Sequence, residues 1–401
     1  MADSPNSIFL KAFKGNLLTC AFDVMMFLAG AIVAVQLNVF RFSVWAIAIY
    51  PSIIVVQSII GNLLNGHVST MLHLGTAYPH LTSNTRAFYD LFRRTIFQTI
   101  MASVVVSVFA WILGSIFWGV TAVNFPEIFF TVTATMGLGF LIFLFTERMV
   151  FMAFSRGLDL ERFIHPLILV ISGILITGFY VLVLSLPLRF GIVGNYVVAS
   201  MAFLCIITAV IGTLPRAYNK EFRRIVKEPL IAFIVVGAVS AVTGTIFKKI
   251  ISLAPTQLEV YTMYPALIFI SVNVGLIVGS TATTKLALGL LKPRFRAIRN
   301  HAGQIFSGWM ASMIAFSVLA GFSLVVNGVF SASSLGRLVA VLFAANIIAI
   351  VMIALVAYAF AVLTFQRALE LDNFVIPVES ALVALMMTIA FFVALVLLRY
   401  V

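Results

Sequence analysis

Tyr50 to Pro79 reads YPSIIVVQSIIGNLLNGHVSTMLHLGTAYP, and it continues an apolar run that begins at Ser43. Ser43 to Leu64 holds no charged residue over 22 positions. A hydrocarbon core of about 30 Å needs about 20 mainly apolar helical residues, so this run predicts a membrane span. The same pattern returns at Tyr264 to Pro293, YPALIFISVNVGLIVGSTATTKLALGLLKP. The two align without gaps, and nine of thirty positions are identical, among them Pro51/Pro265, Gly61/Gly275, Thr70/Thr284, Gly75/Gly289 and Pro79/Pro293. A second pair lies further on. Phe154 to Pro166 (FSRGLDLERFIHP) matches Phe365 to Pro377 (FQRALELDNFVIP) at six of thirteen positions. The offsets are 214 and 211, so the matches are collinear and imply an internal repeat.

Counting similar stretches outward gives eleven spans, near 17–36, 43–64, 96–118, 126–146, 165–187, 192–213, 230–248, 259–280, 304–327, 336–361 and 376–398. The run at 17–36 follows Lys11 and Lys14 but shows no small-residue cleavage site, and it reads as a retained span. The longest connections, 65–95 and 281–303, are too short for a soluble domain. Composition agrees: 63% of the 401 residues are apolar and 9% charged, against roughly 25% charged in soluble domains. Cys20 and Cys205 read as small buried hydrophobes.

Charge sets the orientation. With the N-terminus inside, nineteen of the 25 Lys and Arg residues fall on the cytoplasmic side, including Arg93, Arg94, Arg148, Lys285 and Arg299. Six fall outside: Arg41, Arg189, Lys248, Lys249, Arg337 and Arg399. The net charge of +12 is thereby spread along short loops, and no nucleic-acid recognition motif accompanies it. The expected setting is the cell membrane, with a cytoplasmic N-terminus and an external C-terminus.

Each repeat holds five spans, so the sixth span restores the orientation of the second copy. The predicted fold is all-α: eleven transmembrane helices as two parallel five-helix repeats joined by one linking helix. The division is 1–190 for the first repeat, 191–228 for the linking helix and basic loop, and 229–401 for the second. Repeats of this kind place a transport pathway at their pseudo-two-fold interface.

Two motifs carry a family resemblance. GNLLNGHVSTMLHLG (Gly61 to Gly75), followed by GLDLERFIHP (Gly157 to Pro166), resembles the MgtE-type magnesium channels and, most closely, their two-repeat solute-carrier relatives. The resemblance implies divalent cation transport, Mg2+ foremost, with no cofactor. It also implies an ion-selecting aspartate seven residues beyond each motif's proline. Those positions here are Gly173 and Ala384. The alternative is therefore a carrier of another solute on the same scaffold.

Magnesium prefers carboxylate, carbonyl and retained water. Asp23 and Glu379 are the acids read as lying within apolar spans, and intramembrane acids point to function by default. Asp23 also admits an interfacial reading, and Glu379 a structural hydrogen bond. Asn62, Asn65, Asn273 and Thr281 complete the candidate ligands. Gln57, Gly61, Ser69, Thr70, Gly275, Ser280, Thr283 and Thr284 are expected to line the pathway, with the prolines and glycines opening the helices toward it. The bland alternative for each is hydrogen bonding between helices. His67, His73 and His80 are spaced too unevenly to share one helical face, and Asp159, Glu161, Glu370 and Asp372 read as cytoplasmic ion-pairing acids. No zinc-hydrolase, serine-hydrolase or phosphate-loop motif is present, so an enzyme is not expected. The expected partners are lipid and the transported cation.

Overall fold

The computed structural model describes residues 5–158, 160, 164–213, 220–367 and 375–400. Among these the chain is helical throughout and contains no strand. Thirteen α-helices follow in order: α1 Pro5–Val24, α2 Phe27–Val35, α3 Leu37–Arg41, α4 Ala46–His73, α5 Arg86–Phe117, α6 Phe125–Ser155, α7 His165–Phe190, α8 Ile192–Thr213, α9 Lys220–Leu253, α10 Leu258–Ala287, α11 Ala302–Val326, α12 Ala332–Arg367 and α13 Ile376–Leu397. Eleven segments are long and apolar enough to cross a membrane, one for each span expected from the sequence. The chain is a multi-pass membrane protein.

The boundaries differ from expectation in an instructive way. α4 and α10 run on to His73 and Ala287, and α5 begins at Arg86, so both long connections are partly helical. Their polar ends have few apolar residues to count, yet the backbone continues until a glycine stops it. Gly75 and Gly289 take φ of +68° and +70°. In one case Thr76 N–H donates to Met71 O at 2.9 Å, and in the other Leu290 N–H donates to Lys285 O at 2.8 Å. Both are Schellman caps, which need a left-handed residue after the helix. The first span is not one helix: it breaks at Met25–Met26, where α1 ends just past Asp23 and Val24.

The described chain divides into two compact units. One comprises residues 35–245, and the other residues 1–34 together with 246–401. Packing thus groups the first helices with the C-terminal part of the chain, whereas the sequence repeats were drawn as 1–190 and 229–401.

In the 35–245 unit, α4 is the most enclosed span. A Cβ on Gly244 of α9 would lie 1.7 Å from Ala48 O of α4, so only glycine permits that approach. Tyr50 Oη lies 3.1 Å from Thr177 Oγ1 of α7, and Thr177 donates to Gly173 O at 2.7 Å. Tyr180 Oη donates to Ala46 O at 2.6 Å, satisfying a carbonyl at the start of α4.

In the unit of residues 1–34 and 246–401, α10 occupies the centre. A Cβ on Gly30 of α2 would lie 2.0 Å from Thr262 O of α10. Tyr264 Oη lies 2.9 Å from Thr388 Oγ1 of α13, and Thr388 donates to Ala384 O at 2.8 Å. Just past the end of α13, Tyr400 Oη donates to Glu259 Oε1, in the first turn of α10, at 2.9 Å. Burial and the Glu259 carboxylate together push that phenol upward from its ordinary value.

Candidate cation site

A cavity of about 180 Å3 lies between α10, α12 and α13, large enough for several water molecules. Asn273, Gly279, Ser280, Thr283 and Glu379 supply its polar and open wall, with Leu276, Ile277, Ala361 and Ile376 closing the rest. Pro377 occupies the first turn of α13, where a missing N–H costs no hydrogen bond. It therefore starts the helix and frees no carbonyl. Glu379 follows in the same turn, where the positive helix end favours a carboxylate. It is 3% exposed, and its Oε1 has no hydrogen-bond partner.

Gly279 makes room for that carboxylate. A Cβ there would meet Glu379 Oε1 at 2.9 Å and Oε2 at 3.1 Å. Gly279→Ala is therefore expected to push Glu379 out of place and to weaken about tenfold any Mn2+ binding that depends on this carboxylate, which titration of the purified protein would measure. An unchanged affinity would show that the carboxylate has freedom to move elsewhere.

Asp23 joins the same wall through α10. Its Oδ2 accepts from Asn273 Nδ2 at 2.6 Å, while Oδ1 has no partner and the residue is fully buried. The interfacial reading of Asp23 is corrected: the residue sits midway along the Phe9–Val35 segment, at the break that ends α1. Asn273 and Gly279 are six residues apart, about 9 Å along a helix. The two acids thus flank one stretch of α10, one directly and one through an amide.

The hydroxyls favour a cation. Thr283 Oγ1 donates to Gly279 O at 3.0 Å, and Ser280 Oγ to Ile277 O at 3.4 Å. With their protons committed to the helix backbone, their lone pairs remain for the cavity.

The other expected residues are placed differently. Thr281 bonds Ile277 O and faces His301 Nε2 at 3.2 Å, away from the cavity wall. Thr284 is exposed and bonds Ser280 O. Gly275 does not open α10; the helix is continuous there, and its bare face admits Val383 and Ile353. In the 35–245 unit, Gly61 likewise packs against Phe143 of α6 within an unbroken α4. Gln57 Nε2 donates to Gly139 O at 3.1 Å, Thr70 bonds Gly66 O, and Ser69 is buried. Asn62 is half-buried, whereas Asn65 is 2% exposed with an unpartnered Oδ1. His67, His73 and His80 each bond a nearby carbonyl through Nδ1. Among the described residues no three His, Cys, Asp or Glu side chains converge as a metal cluster. Asp159, Glu161, Glu370 and Asp372 lie outside the described residues.

Three of the buried polar residues that escaped the sequence reading bear on the site or its counterpart. Asn16 bonds Ser307 at 2.9 Å. His301, fully buried, meets Val278 O through Nε2 at 3.0 Å and Lys285 Nζ through Nδ1 at 3.3 Å. An ammonium is only a donor, so Nδ1 accepts and Nε2 carries the proton. Both residues lie outside or at the edge of the counted spans. The third, Glu147, ends the apolar run of α6 beside Arg148, where it resembles an ordinary interfacial charge, yet it is fully buried.

At Gly173 and Ala384, where the family resemblance places aspartates, the network is closed. Thr177 and Thr388 direct their protons to those two carbonyls, so Tyr50 and Tyr264 must donate to the threonines. No family model, curated protein or solved structure matches the chain.

Proposed function

We propose that the chain carries a hard divalent cation, Mg2+ foremost, across the membrane, using the cavity beside Glu379 as a binding station. The observation that carries this reading is the polar wall of the cavity: the buried Glu379 carboxylate with an unpartnered oxygen, Asn273 with the buried Asp23 carboxylate behind it, and two hydroxyls whose protons are already committed. Such a set offers acceptors and almost no free donors, which suits a cation that keeps part of its water shell. The resemblance to MgtE-type channels and their solute-carrier relatives supports the choice of ion.

The proposal includes two five-helix repeats with their first helices exchanged between units. Contacts within each unit support it at matched offsets. Gly30 on Thr262 and Gly244 on Ala48 are related by 214 in both members, and the two tyrosine–threonine pairs by 214 and 211.

Purified protein in liposomes, challenged with a panel of divalent cations, tests the reading. Saturable Mg2+ or Mn2+ flux is expected. If no divalent cation moves, a carrier of another solute takes its place, a reading favoured by the closed tyrosine–threonine networks at Gly173 and Ala384.

Orientation follows from the basic loops. In a background lacking Cys20 and Cys205, Leu290→Cys is expected to label only from the cytoplasm and Phe42→Cys from outside; both native side chains are exposed. External labelling at 290 would reverse the topology.

A further inference from the structure

Glu147 of α6 is fully buried, and neither carboxylate oxygen has a hydrogen-bond partner. A buried, unpaired carboxylate is too costly to persist, so it must take up a proton or a cation. Its neighbours can be read from the register of α4 against α6. Gln57 bonds Gly139, and a Cβ on Gly61 would lie 3.1 Å from the Phe143 ring. Both pairs differ by 82 residues, so the two helices run in the same direction and stay in step. One further step of four residues, about 6 Å, sets Asn65 opposite Glu147. Asn65 is itself buried with an unpartnered Oδ1. Three acceptor oxygens without hydrogen-bond partners therefore fall at one level of the 35–245 unit.

That level is not arbitrary. With the offset of 214, Asn65 corresponds to Gly279, the residue against which Glu379 rests in the other unit. The same turn of the second repeat helix thus meets a buried acid in each unit. The acid comes from α13 in one and from α6 in the other. Ile168, the repeat counterpart of Glu379, is buried and apolar, and Tyr358, the counterpart of Glu147, donates to Arg294 O at 3.3 Å. The carboxylate has changed helices while keeping its level.

We infer that Glu147 and Asn65 form a second cation-binding station in the 35–245 unit, ligating the same class of hard divalent cation through the Glu147 carboxylate and Asn65 Oδ1. This rests on the cation reading of the Glu379 cavity but uses none of its residues. A carboxylate at the matching level gives the 35–245 unit a fixed charge of its own.

Mn2+ binding to the full-length purified protein, followed by electron paramagnetic resonance, tests the inference without requiring transport. Glu147→Gln is expected to remove one Mn2+ site and leave the Glu379 site intact, and Glu379→Gln to do the converse. Asn65→Asp adds a second carboxylate at the same level and is expected to tighten the Glu147 site about tenfold, a gain that misfolding cannot produce. Unchanged stoichiometry in Glu147→Gln, with no tightening in Asn65→Asp, would overturn the inference and leave Glu147 a protonated acid. Loss of a site in Glu147→Gln but not in Glu379→Gln would instead sink the assignment of the first cavity while this station stood.

Discussion

Gly244→Ala and Gly30→Ala are each expected to destabilise the protein by about 3 kcal/mol or more, the upper range for overpacking. The added methyl would have to share space with a backbone carbonyl, Ala48 O in one case and Thr262 O in the other. A side chain at that distance could rotate away, but a helix backbone cannot. The helices must therefore separate along their whole seam, losing the contacts that enclose α4 and α10. Gly178→Ala in α7 and Gly321→Ala in α11 are the matched controls, since nothing lies within 4 Å of either new Cβ. Relief of glycine's entropy cost should make those two neutral or stabilising by about 0.5–1 kcal/mol. Thermal unfolding midpoints in detergent would separate the pairs. Equal midpoints for all four variants would mean that these close approaches do not hold the helices of each unit together.

Glu379→Gln is expected to cut divalent flux at least about tenfold, equivalent to only about 1.4 kcal/mol. The substitution keeps the shape beside Gly279 and removes the charge. A hydrated divalent ion would then face the Asp23 carboxylate only through Asn273, which already donates to it. Asn273→Leu should act in the same direction by stranding Asp23, while Ala384→Ser should change little because the Ala384 carbonyl already accepts from Thr388. Unchanged flux in Glu379→Gln would make that carboxylate structural and leave Asp23 as the acid to examine.

The eleven spans were legible because lipid imposes a length on every apolar run, and charges mark where each run ends. Asp23, Asn273 and Glu379 were legible for the related reason that polar groups inside such runs are costly. Glu147 was not, because Arg148 beside it makes the end of α6 look like any interfacial boundary. Only packing shows that the carboxylate turns inward. Gly30 and Gly244 carried no signal in an apolar stretch until their partner backbones were known, although carrying the offset of 214 back to the first span would have paired them. Gly61 and Gly275 were read as points where helices open. In both helices a neighbouring side chain fills the glycine face, so the backbone has no reason to unwind. Break points proved to be set elsewhere, at Met25–Met26, where Met26 N–H bonds Asp23 O and tightens the turn beside the buried acid.

The most direct measurement is an experimental structure of the protein soaked in Mn2+, with the ion located by its anomalous scattering. The expected result is an ion in the cavity between α10, α12 and α13, within reach of Glu379 directly or through one water, and absent in Glu379→Gln. Anomalous density elsewhere with this cavity empty, in protein that still transports divalent cations, would contradict it.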